Sequence, residues 1–126
     1  MFRLFDMLGR STAMRALDDA LRAAGVHPLL VPEPVKLTLI QLCKRLAGGT
    51  TQETAVTQAA QVLSYCMLGH DGFAASNDAD AACHIDKLVE TALEEGDSLD
   101  AKVVLLVVHA GLIAPDIADR IDLDEA

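Results

Sequence analysis

The residues able to do chemistry in this chain are few, and they fall into three sets. Cys66, His70, Cys83 and His84 together offer two thiolates and two imidazoles, the donor set of a structural zinc site. Their spacing, Cys-x3-His followed by a Cys-His pair, matches no recognised finger pattern. Helical geometry also separates them. Cys66 falls on the apolar stripe of its helix, while Cys83 lies roughly 160° from the stripe of the next. The sequence therefore reads Cys66 as a core residue, with Cys83, His70 and His84 on the surface, and this set as a weak metal candidate. The same geometry leaves Cys83 exposed near a helix start with Lys87 one turn on, which makes it a candidate reactive thiol.

The second set is Lys102 and His109. Seven residues apart, they share one line on a helix that is otherwise apolar from Val103 to Val108. Such a seam can line a small ligand pocket, with His109 as a base. The plainer reading is an edge histidine on a packed helix. The third set is apolar: Phe2, Phe5 and Leu8 recur at three-residue spacing and hold two of the three phenylalanines of the chain. They form a candidate contact for a partner or a second copy, set against simple docking of the terminus on its own core.

No catalytic constellation is legible. Nucleophile elbow, phosphate-binding loop, dinucleotide fingerprint and HExxH pattern are all missing. The carboxylates Asp78, Asp80, Asp86 and Glu90 crowd one segment, but the spacing places Asp86 with Glu90 on a wet face, where nothing shifts a carboxyl toward acid–base work. Asn77 and Asp78 do not start a calcium loop, because the required glycine and later glutamate are lacking. No cofactor is called for by any motif.

The elements that carry these residues read as helices throughout. Residues 101–112, AKVVLLVVHAGL, are the most apolar run. A buried strand would need a ladder partner, and no other segment supplies one. Ser98 is placed as N-cap, with Asp100 in the first turn, so a helix near 99–112 is expected at the centre of the fold. It is too short to span a bilayer. Ahead of it, residues 11–24 show a stripe of Met14, Leu17, Leu21 and Ala24, with Asp18 and Arg22 spaced for an ion pair on the wet side. Gly25 and Val26 suit a Schellman cap. HPLLVPEP at 27–34 is a proline-rich apolar strap, with His27 structural and Pro34 opening the next helix. That helix buries Val35, Leu39, Ile40, Cys43, Leu46 and Ala47. Gly48 and Gly49 end it.

Thr50 with Glu53 matches a capping box for the third helix, whose stripe is Val56, Ala59, Ala60, Leu63, Cys66 and Met67. Gly69 stops it, and HDGFAAS at 70–76 is the longest polar connection and the natural place for a functional loop. Ser76 or Asn77 caps a fourth helix with Ile85, Leu88, Val89 and Ala92 inward and Gly96 as its stop. Pro115 opens a short last helix on Ile117, Ala118 and Ile121 before a frayed acidic tail at 122–126.

The expectation is a single all-α domain over residues 1–126, a bundle of about five main helices with an apolar segment at 1–9 and a short C-terminal segment. Composition agrees: 52% hydrophobic residues but 3% aromatic, with no tryptophan. Closely packed Ala, Leu and Val suit helices and offer little stacking surface for bases. The net charge is −9, with seven Lys/Arg against four Asp/Glu in residues 1–48 and three against fifteen in residues 49–126. That sign disfavours nucleic acid. Three unevenly placed cysteines and no leader-like run point to a reduced, cytoplasmic setting without membrane attachment. The function expected on these grounds is a non-enzymatic interaction or adaptor module that forms a homo-oligomer. The alternative is a small-ligand or metal-binding protein built on His109 and Lys102 or on the cysteine–histidine set.

Overall fold

The computed structural model describes residues 12–46 and 51–121. Among the described residues it is an all-α bundle of six helices: α1 (Thr12–Ala24), α2 (Glu33–Leu46), α3 (Gln52–Ser76), α4 (Ala79–Glu95), α5 (Leu99–Ala110) and α6 (Pro115–Ile121), with a 3-10 turn at Pro28–Leu30 between the first two. The apolar segment at 1–9, the Ser11 cap, the stop at 48–49 and the tail at 122–126 lie outside the described residues.

The helix that packs against each of the other five is α3. It was expected to show one stripe. Instead Ala55, Val56, Ala59, Ala60, Val62, Leu63, Ser64, Tyr65 and Cys66 are all buried. Alanine on several sides lets neighbouring backbones approach closely, so α3 can be enclosed despite its glutamines. Gln58 reaches out of the core and donates to the Asp100 carboxylate at 2.9 Å. The expected apolar helix forms as α5, capped by Ser98, and buries Ala101, Val103, Val104 and Val107. It lies on α2, α3 and α4 and leaves Leu105 46% exposed, so the place enclosed on most sides belongs to α3.

The caps explain where the helices stop. Gly25 and Val26 close α1 as a Schellman motif, with Val26 N–H donating to Leu21 O and Gly25 N–H to Arg22 O. The α1 and α3 ends meet there: a Cβ on Gly25 would fall 2.5 Å from Ser76 Cβ. Asn77 caps α3 and also ties it to α1, its amide donating to Ala24 O and Phe73 O. Asp78, not Ser76 or Asn77, is the N-cap of α4. Thr51, not Thr50, caps α3, which moves Glu53 one place early for a capping box and brings Thr54 to the position it would fill.

Two polar groups lie inside contrary to their sequence pattern. Lys36 is 3% exposed and bonds Asp18 at 3.0 Å, so Asp18 turns inward from α1 and Arg22 is left to a 3.8 Å contact with Asp19. A buried charge needs a partner, and that need outranks the i,i+4 pairing. Ser64 is fully buried, and its hydroxyl has no hydrogen-bond partner among the described residues. The proline-rich connection turns Pro28 and Val31 inward and leaves Leu29 84% exposed. His27 Nδ1 accepts the Leu29 N–H, a structural role.

Candidate functional site

The polar groups that converge are ones the sequence pattern had dispersed. HDGFAAS is not a loop. Helical structure resumes after Gly69 and continues to Ser76, with Phe73 buried. Gly69 itself has φ 82°, a left-handed value that glycine adopts without cost. The break prevents the bond from His70 N–H to Cys66 O that a continuous helix would make. The segment leading into α6 fills the gap. Ala114 N–H donates to Cys66 O at 2.8 Å, and His70 N–H donates to Asp116 Oδ2 at 3.1 Å.

Around this break, Tyr65 Oη donates to Asp86 Oδ1 at 2.6 Å, and Arg120 Nη1 approaches the same oxygen at 2.5 Å. With its one proton given to Asp86, the Tyr65 hydroxyl accepts from His70 Nδ1 at 3.1 Å. The Tyr65 ring also meets the edges of His70 and Phe73, with centroids 6.0 and 5.6 Å away. Asp86 is therefore half-buried in a network, not solvated beside Glu90. Its desolvation would raise its pKa, but the Tyr65 hydrogen bond and the Arg120 charge outweigh that and hold it below the ordinary carboxylate value. Burial first, then the Asp86 hydrogen bond and charge, push Tyr65 well above the usual phenol range. A base needs an accessible proton acceptor near the working pH. Here the carboxylate is more acidic than usual and the phenol less so. The cluster joins α3, α4 and α6 and is structural in its chemistry.

The cysteine–histidine set does not assemble. Cys66 faces the core, where burial pushes its thiol up to about 12, whereas Cys83 and His84 are exposed on α4. Helix geometry separates them, since Ala82 and Ile85 take the inward face of α4. Among the described residues no three His, Cys, Asp or Glu side chains gather as a metal would require. His109 is exposed and borders a shallow depression with Pro34, Val35, Thr38, Leu106 and Ala110. Lys102, half-buried one end of the helix away, does not line it. Phe2, Phe5 and Leu8 lie outside the described residues.

A second region combines concavity with exposed apolar surface. Where α4 turns into α5, Leu93, Gly96, Ala101, Val104, Leu105 and Val108 line an apolar groove of about 160 Å³. Small-molecule pockets run to roughly 300–1,000 Å³, so this volume suits a side chain or two rather than a cofactor. Leu93 is 38% exposed on one wall and Leu105 46% exposed on the other. Glu94, Glu95 and Asp97 are exposed beside it in the chain. Sequence pattern missed this groove because its residues read as ordinary apolar helix positions and a helix stop, and the concavity arises only where the two helices meet.

No family model, curated protein or solved structure matches this chain. Among the described residues, no helix is long and apolar enough to cross a membrane.

Proposed function

We propose that this chain is a non-enzymatic helical interaction module that associates with a second copy of itself, and that the groove between α4 and α5 is the receiving face. The observation that carries the reading is the groove: two half-exposed leucines flank an apolar concavity of side-chain size. Charge supports a second copy as occupant. Residues 49–126 carry the excess of carboxylates, and the exposed Glu94, Glu95 and Asp97 adjoin the groove. The N-terminal stretch that holds Phe2, Phe5 and Leu8 carries Arg3 and Arg10 against Asp6 over residues 1–10, a net of one positive side-chain charge and so the complementary sign. The polar cluster at the α3 break, by contrast, has its groups spent on one another.

Native mass spectrometry of the intact chain tests this. A dimer is expected. Leu105→Glu places a charge in the groove and should yield a monomer with unchanged far-UV circular dichroism, as should removal of residues 1–9. A monomeric intact chain, or a dimer that survives both changes, would refute the proposal.

A further inference from the structure

The break in α3 and the docking of α6 are two descriptions of one event. The amide and carbonyl parted at the break, His70 N–H and Cys66 O, are the groups that Asp116 and Ala114 engage. We propose that α6 is a detachable latch and that α3 has two states: broken, with residues 114–116 inserted, and continuous, with Cys66 O returned to His70 N–H, when the latch is out.

Three observations carry this. First, the loss of hydrogen bonds on release is partly offset. Release gives up the two bonds to the inserted segment and the Arg120–Asp86 contact, regains Cys66 O to His70 N–H inside α3, and returns the freed Ala114 N–H, Asp116 carboxylate and Arg120 guanidinium to water. Second, little else holds α6. It has seven residues, too few to be stable alone. Ile117 is its one fully buried side chain among the described residues, and the Arg120–Asp86 pair that ties it to α4 is about one-third exposed on both sides. Third, Gly69 is the residue type that can pass between φ 82° and helical φ without a steric penalty. A side chain there would oppose the broken state twice. It would disfavour the positive φ, and its Cβ would lie 2.6 Å from Asp116 Oδ1.

Release has a chemical consequence. Cys66 is fully buried, its carbonyl is bonded by Ala114, and its thiol lies close enough to α6 to feel the Arg120 charge; α6 itself packs on α3. Opening the latch presents a thiol and an apolar cleft that the closed fold hides, without unfolding the rest of the bundle.

The three cysteines of the intact chain form the assay. Iodoacetamide labelling, resolved by mass spectrometry of each cysteine, reads all of them at once. Cys83 is exposed and is the fast control, whereas Cys43 and Cys66 are both fully buried. In a fold that opens only by global unfolding, Cys43 and Cys66 would label together, since neither has exposed surface when closed. The latch predicts otherwise. In the wild-type chain, Cys66 labelling should depend on urea much less steeply than global unfolding does, because only local surface is exposed. Asp116→Asn removes the charge from the bond to His70 N–H and should speed Cys66 labelling about tenfold with Cys43 unchanged. Gly69→Ala should speed it further, with far-UV helix content retained. Cys66 labelling that follows the full urea slope of global unfolding in the wild-type chain would overturn the proposal, as would Cys66 remaining protected in both variants. If either variant fails to fold, the wild-type urea slope decides alone.

Discussion

The two ends of α4 meet their surroundings in opposite ways. Its first half carries Asp86, which Tyr65 from α3 and Arg120 from α6 both engage. Its last turns carry Ala92, Leu93 and Gly96, which with α5 form a groove of almost wholly apolar lining. At the first site three helices converge and each polar group has a partner. At the second, two helices meet across a short turn and apolar side chains are left half-covered. Polar groups that have satisfied one another gain little by meeting a ligand, because the existing bonds must first be broken. Half-covered leucines gain by meeting another apolar surface. The same helix thus contributes to a polar joint whose groups satisfy one another in its first half and to an available surface at its end.

That contrast can be broken or sharpened by mutation. The largest effect is expected at the joint, from Ile117→Ala. It removes a fully buried side chain and should lower unfolding free energy by about 2–5 kcal/mol, read as a shift in urea midpoint at constant slope. If α6 opens readily, the loss will sit at the low end of that range, because part of the population has already given up the contact. Tyr65→Phe comes next. It deletes the hydroxyl's bonds to Asp86 and His70 while keeping the ring against Phe73, and should cost about 1–2 kcal/mol by the same measurement.

A smaller effect appears only in acid. The folded-state pKa of Asp86 lies below its unfolded value, so its contribution to stability is complete above the ordinary carboxylate range and is lost as pH falls through the folded value. Asp86→Asn should therefore flatten the melting temperature against pH below about pH 4, with the curves converging at the acid end. An Asp86→Asn curve that keeps the wild-type acid slope would place the acid sensitivity elsewhere. The smallest effect on stability belongs to the groove. Leu105→Ala at a half-exposed position should change unfolding free energy by about 0.5 kcal/mol or less for the monomer. Yet Leu105→Ala should weaken dimerisation measurably in sedimentation. A substitution near-neutral for folding but costly for association is the signature that separates an available surface from a joint.

How much of this was legible in the sequence depends on the range of the interaction that decides it. The α1 stripe of Met14, Leu17, Leu21 and Ala24 is buried as its spacing implies, and the Schellman close at Gly25 and Val26 forms as read. The exposure of Cys83 and the burial of Cys66 and Cys43 followed from helical angles alone. The cap of α4 moved to Asp78, a shift of one or two residues among neighbours equally able to cap. Larger departures arose where a distant residue intervened. The pattern placed Asp86 on a wet face, Asp18 opposite Arg22 and HDGFAAS in a loop. In each case a partner far along the chain changed the outcome: Arg120 for Asp86, Lys36 for Asp18, and residues 114–116 for the stretch after Gly69. The lone tyrosine in a chain poor in aromatics was the one available hint to the joint, since it lies next to Cys66 on the buried stripe.

What the sequence determined by itself is the order of the main helices and, away from α3, most of the apolar positions that each turns inward. These follow from hydrophobic period, capping side chains and glycine stops, which act within a turn or two of chain. What only the tertiary structure decided is which helix stands at the centre, which polar groups meet, and where apolar surface is left open. The most apolar helix did not take the centre. α3 did, because its alanines admit close neighbours on several sides. The joint at the α3 break joins residues up to 48 positions apart, and the groove exists only where α4 and α5 are brought together. Local periodicity records burial, whereas convergence and concavity depend on how the helices are stacked.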